Sequence, residues 1–186
     1  MFSSVSQALH VSYLVCHMPP TVRVSTQVLI DSLREQLGRV EARIASTINR
    51  DGLSQLEFRG QCALVTAAAR DHLPPPEHAA VLARYAHQVG KANGVRALAD
   101  YIQPRTGIEH DLAVRAVVWS QYHRGSQRAA DRWSLRTISD ETGVSMHALR
   151  GCVDAVRQVG EALQTRAEDR LGRMFERTGL VQRVCA

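Results

Sequence analysis

Arg150 carries the most specific chemistry in this 186-residue chain. Its guanidinium can donate two parallel hydrogen bonds, and the major-groove edge of guanine presents two acceptors that match this fork. In Ser145-Met-His-Ala-Leu-Arg-Gly-Cys-Val-Asp-Ala-Val-Arg157, a helical period sends Leu149, Cys152, Val153 and Val156 to one side. His147, Arg150, Gly151, Asp154 and Arg157 take the other, with Ser145, Met146 and His147 in the first turn. The candidate base readers are therefore Ser145, Met146, His147, Arg150, Gly151 and Asp154. Upstream, Arg115, Arg124, Arg128, Arg132 and Arg136 face only Asp131 as an acid and are interleaved with Trp119, Tyr122, His123 and Trp133. With Arg157, the residues Arg124, Arg128, Arg132 and Arg136 are the candidate phosphate contacts. A solvated helix face accounts for the same run of charge equally well.

Other reactive side chains point to no reaction. Glu109-His110-Asp111 and Asp71-His72 set acids beside histidines, but adjacent residues on a helix diverge and form no proton relay. No glycine-rich loop follows a strand. Cys16, Cys62, Cys152 and Cys185 are scattered, without metal-ligand spacing apart from the Cys16-His17 pair. No catalytic residue, metal or cofactor is assigned, and an enzyme is not expected.

The elements that must hold Arg150 in place are two short helices joined at Gly143. Ser134 caps the first, in which Leu135 and Ile138 share a face. Ser139 is the small residue expected where the two helices cross. Gly143 supplies the positive φ of the reversal. Ser145 caps the second helix, and Val144 before it can pack on Leu149. This is the pattern of a helix-turn-helix, although a purely structural helix pair has the same signature.

Composition places these helices in an all-α chain, expected as a multi-helix domain with a C-terminal helix-turn-helix and a long N-terminal helix. Apolar residues make up 45%, aromatics only 5%, and no alternating β-branched runs appear. The net charge of +5 is spread along the chain, and Lys91 is the sole lysine, so global charge does not point to nucleic acid. Residues 1–24 read as a flexible segment. Met18 before Pro19-Pro20 is an alternative initiator, which would leave the first 17 residues as unpacked upstream sequence. Residues 25–50 read as one long helix whose Ile30, Leu33, Leu37, Val40 and Ile44 form a heptad seam, suited either to a homodimer or to packing within the chain.

Residues 51–123 read as a helical core. Its helices run from Leu53 to His72, Glu77 to His87, Val95 to Ile102 after a connector at Gly90 and Gly94, and Ile108 to His123 with Leu112, Val114 or the stem of Arg115, Val118 and Trp119 inward. Residues 124–186 hold the helix pair and a separate final helix, Glu161 to Arg177, ended by Gly179. Without an apolar run of membrane-spanning length or a leader pattern, a cytoplasmic protein that does not enter a membrane is expected.

Leu73-Pro-Pro-Pro-Glu-His-Ala-Ala-Val-Leu-Ala-Arg-Tyr85 resembles the helix that precedes the DNA-reading motif in region four of bacterial sigma factors. Ser134 to Val156 resembles the motif that follows it there. About fifty residues separate the two here, an arrangement similar to that of phage late-gene antitermination proteins of the Q kind. That resemblance implies a transcription regulator that binds double-stranded DNA through Arg150 and its neighbours and contacts RNA polymerase. It also implies that the Glu77 to Tyr85 helix supports the motif or the polymerase. The alternative is a helical protein–protein interaction module that uses the helix pair and the Ile30 to Ile44 seam without DNA. The polar face of Arg150, His147 and Arg157 favours DNA over a protein groove.

Overall fold

Serine caps start four of the helices, Ser145 at the last of them and three earlier. In a computed structural model, which describes residues 2–18, 52–122 and 134–181, Ser4, Ser54 and Ser134 each accept a backbone N–H from the following turn. At Ser54 the cap is reciprocal, because the Glu57 carboxylate accepts the Ser54 N–H at 2.8 Å. The described chain is all-α. Its helices are α1 (Val5–His17), α2 (Gln55–His72), α3 (Pro75–Tyr85), α4 (Gln88–Ile102), α5 (Asp111–Tyr122), α6 (Leu135–Thr142) and α7 (Met146–Arg177). A 3₁₀ turn, Gln103–Arg105, follows α4. The only β pairing among the described residues is an isolated parallel bridge between Phe2 and Val181. No described helix is long and apolar enough to cross a membrane.

Two compact units divide the chain. The first comprises Met1–Leu73, Tyr85–His87 and Ala167–Ala186. There α1 packs along α2, with Leu9, Val11, Leu14, Val15, Phe58, Cys62 and Val65 buried. The end of α7 contributes Leu171 and Phe175 to the buried residues of this unit. Arg59 donates to the carbonyls of Val15 and Met18 at the end of α1, where helix geometry leaves acceptors unsatisfied. The Tyr85 hydroxyl donates to Glu168 at 2.7 Å, and His10 meets the Tyr85 ring edge-on.

The N-terminal residues correct the sequence reading. Residues 2–18 of the segment read as flexible are packed, since Ala8, Val11 and Val15 recur at helical spacing on a buried face. The Ile30, Leu33, Leu37, Val40 and Ile44 seam lies outside the described residues.

The second unit comprises Pro74–Arg84 and Gln88–Arg166. Its core joins Ala79, Ala80 and Ala83 of α3 to Val95, Leu98, Ala99 and Ile102 of α4 and to Val114, Val117 and Val118 of α5. Pro75 occupies the first turn of α3, where its missing N–H costs nothing. Gly90 and Gly94 do not flank a connector, because α4 runs through both. The reason at Gly94 is close packing: a Cβ there would fall 2.6 Å from Leu82 Cβ and 2.5 Å from the Ala83 backbone nitrogen. Leu112, expected inward, is 60% exposed at the start of α5, while Val114, Val117 and Val118 take the core positions.

The chain also keeps a single helix where two were expected. The second helix of the pair and the final helix are one, Met146–Arg177. Gly160 sits inside it, buried against Tyr122 of α5. Gly179, at φ 71°, ends it as expected. The Leu180 N–H donates to the Phe175 carbonyl at 2.9 Å and the Gly179 N–H to that of Glu176 at 3.3 Å, which together close the helix end.

Candidate nucleic-acid interface

The α6–α7 pair is built from local signals that agree with its sequence. Ser134 Oγ accepts the Thr137 N–H at 3.2 Å and opens α6. Gly143 closes α6 in the left-handed region, φ 70°, with its N–H donating to the Ser139 carbonyl at 2.9 Å. Ser145 Oγ then accepts the Ala148 N–H at 3.2 Å and opens α7. The turn is tied by a bond that periodicity does not reveal. Ser139 Oγ donates to the Val144 carbonyl at 2.7 Å, so this residue is required for its hydroxyl as well as its small size. Thr142 Oγ1 donates to the Ile138 carbonyl at 2.6 Å and accepts from the Val144 N–H at 3.5 Å.

Packing then fixes which side of α7 stays open. Ile138, Leu149, Cys152 and Val156 are buried in the core of the second unit, and Leu135, Val144, Met146 and Val153 pack against it partly buried. Each fully buried aliphatic side chain contributes about 1.5–3 kcal/mol relative to exposure. Burial pushes the Cys152 thiol up to about 11, so it stays neutral and acts as a small apolar side chain.

The opposite face carries the candidate readers. Ser145, His147, Arg150, Gly151 and Asp154 are exposed, and Met146 is half-buried. Among the described residues no hydrogen bond or ion pair engages the side chains of His147, Arg150, Asp154 or Arg157. Arg136 is exposed and likewise unengaged on α6. Arg124, Arg128 and Arg132 lie outside the described residues. The surface is mixed in sign, because Asp140, Glu141, Asp154 and Glu161 stand among the arginines. The face can therefore donate from Arg150 and accept at Asp154, four residues on, as base-edge reading requires.

Of the acid–histidine pairs in the sequence, His110, Asp111 and Asp71 make structural contacts. His110 Nδ1 accepts the Ala113 N–H at 3.3 Å and caps α5. Asp111 pairs with Arg115 at 3.4 Å, and Arg115 also reaches Asp100 of α4 at 3.2 Å. Asp71 pairs with its neighbour Arg70 at 2.7 Å. Beside His110 and Arg115, α4, α5 and α6 border a mainly apolar cavity of about 420 Å³, walled by Val95, Leu112, Trp119 and Ile138. Leu112 faces that space, which accounts for its departure from the core.

Comparison with protein-family models finds no match, and none among curated proteins reaches significance.

Proposed function

We propose that the protein is a sequence-specific DNA-binding transcription regulator that presents the first turns of α7 to the major groove. One observation carries this reading: His147, Arg150, Asp154 and Arg157 form an exposed, unengaged polar face on a helix whose other side is anchored by Leu149, Cys152 and Val156. Arginine normally finds a carboxylate or an anion, and a helix of about 10–12 Å diameter fits the major groove. Arg150 would read guanine, Asp154 would accept from cytosine, and Arg136 and Arg157 would hold phosphates. The resemblance to antitermination proteins adds RNA polymerase as a second partner and a phage setting to the proposal. A second copy of the chain would supply the other half-site. The proposed location is the cytoplasm.

The test is selection of bound fragments from a genomic library, followed by anisotropy titration of those duplexes. Arg150→Ala should weaken binding to the selected sites by about 1–3 kcal/mol and relax their preference at one base pair. Unaltered protein that shows no salt-dependent binding to any duplex would remove this reading.

A further inference from the structure

A feature of a different kind lies beside α6. The cavity of about 420 Å³ bordered by α4, α5 and α6 falls within the range of about 300–1,000 Å³ common to small-molecule sites, and its lining belongs wholly to the second unit. Val95, Leu112, Ala116, Trp119 and Ile138 make that lining mainly apolar. Leu112 stands largely exposed there while Val114, Val117 and Val118 of the same helix are buried, so an occupant of the cavity gains by covering it.

We propose that this cavity binds a small apolar amine, with its hydrocarbon body among those side chains and its ammonium at the Glu141 carboxylate, and that the occupant regulates DNA binding. The regulation rests on the DNA reading of the α6–α7 pair, whereas the site does not. Charge selects the cation. Four polar residues complete the lining: His110, Arg115, Glu141 and Thr142. Arg115 is divided between Asp100 at 3.2 Å and Asp111 at 3.4 Å, so two carboxylates already offset its one positive charge. Thr142 Oγ1 is committed to the Ile138 carbonyl and the Val144 N–H. His110 uses Nδ1 to accept the Ala113 N–H, which leaves Nε2 to carry the proton of the neutral ring. Among the described residues no hydrogen bond or ion pair engages Glu141. The uncommitted charge on the lining is therefore one carboxylate, which attracts an ammonium and repels an acid. The Trp119 ring in the wall acts in the same direction, because aromatic faces attract cations.

Placement supplies the regulatory half. Ile138, Glu141 and Thr142 belong to α6, and the other lining residues come from α4, from α5 and from His110 just before it. An occupant touches both sides of the α5–α6 contact and holds α6 where it stands. Ile138 shares its core with Leu149 and Cys152, so holding α6 also holds α7 with its readers exposed. A ligand that favours this arrangement tightens DNA binding, and DNA tightens the ligand by the same factor.

Three probes with one indole body and different charge test the site by isothermal titration calorimetry at neutral pH: tryptamine, tryptophol and indoleacetate. Tryptamine is expected to bind one to one and about 2–5-fold more tightly than tryptophol, the share of one exposed ion pair, with indoleacetate the weakest. Glu141→Gln should weaken tryptamine by about the same 2–5-fold and leave tryptophol unchanged. Leu112→Ser should weaken tryptamine and tryptophol alike, by about 3–10-fold, because it removes part of the apolar wall. Both residues are exposed, so neither change threatens the fold. In an anisotropy titration, saturating tryptamine should tighten binding of the selected duplexes by about 5-fold.

Tryptamine that does not bind, or binds no better than tryptophol, overturns the site, and so does a Glu141→Gln protein that keeps the preference for the amine. Unchanged duplex affinity with tryptamine bound overturns the regulation and leaves both the site and the DNA reading standing. No duplex binding by the unaltered protein overturns the DNA reading and the regulation together, and calorimetry still decides the site.

Discussion

Replacing Gly94 by alanine sets two opposed effects against each other, and the structure decides the sign. In an open helix position the change stabilises by about 0.5–1 kcal/mol, because glycine has more backbone entropy to lose. At Gly94 the new Cβ would meet Leu82 Cβ at 2.6 Å, the Leu82 carbonyl carbon at 2.8 Å and the Ala83 nitrogen at 2.5 Å. None of these atoms belongs to a flexible side-chain end. Ordinary contact begins near 3.4 Å, so α3 and α4 would have to separate by about 0.9 Å at this crossing. The buried residues Ala79, Ala80, Ala83, Val95, Leu98 and Ala99 would loosen together.

Overpacking of this kind costs about 1–3 kcal/mol and more where backbone must move, so the net expectation is a loss of about 2 kcal/mol. Urea unfolding followed by far-ultraviolet circular dichroism measures it. Gly60→Ala is the matched control in α2, exposed and with nothing within 4 Å of a new Cβ, and should gain about 0.5–1 kcal/mol. If Gly94→Ala were as stable as the unaltered protein, the close crossing of α3 and α4 would be wrong.

Gly151→Ala separates stability from function: with open space around it the new methyl should stabilise α7 by about 0.5–1 kcal/mol, yet weaken the binding of selected DNA. Unchanged affinity would show that Gly151 faces away from the duplex. Ser134→Ala should cost about 1 kcal/mol in urea unfolding through loss of the α6 cap, and Ser134→Asp should recover most of it. Ser139→Ala should cost about 0.5–1.5 kcal/mol through loss of the bond to the Val144 carbonyl, read in the same assay.

Cys62 and Cys152 are buried, so a thiol reagent at neutral pH should reach exposed Cys16 well before either; equal rates would contradict the packing of α2 and α7. The raised Cys152 pKa favours the neutral thiol in the folded state. Its contribution to stability is therefore full below the ordinary value of 9.0 and is lost as pH rises toward about 11, where the folded thiol also ionises. Tyr13, pushed up to about 12 by burial, acts in the same sense from pH 10 upward. Urea midpoints that fail to fall over this alkaline range would refute both assignments.

The helix boundaries were legible in the sequence where a boundary is a local event. Ser134, Gly143, Ser145, Pro75 and Gly179 each satisfy or terminate backbone hydrogen bonds within a few residues of themselves, so type and position suffice to place them. The same holds for the two faces of α7, since a period of 3.6 separates Leu149, Cys152 and Val156 from His147, Arg150 and Asp154 whatever lies beyond.

Tertiary structure decided what depends on a distant partner. Gly94 reads as part of a connector because glycine alone weakens a helix, but it is the residue that admits Leu82 and Ala83, and Gly160, just ahead of the expected start of the final helix, admits Tyr122. The stretch from Val5 to His17 reads as part of a flexible segment, and it is the partnership with α2 that buries Leu9, Val11 and Val15. Leu112 and Glu141 carry no joint signal in the sequence, because their relevance lies in bordering one cavity that only the folded chain creates.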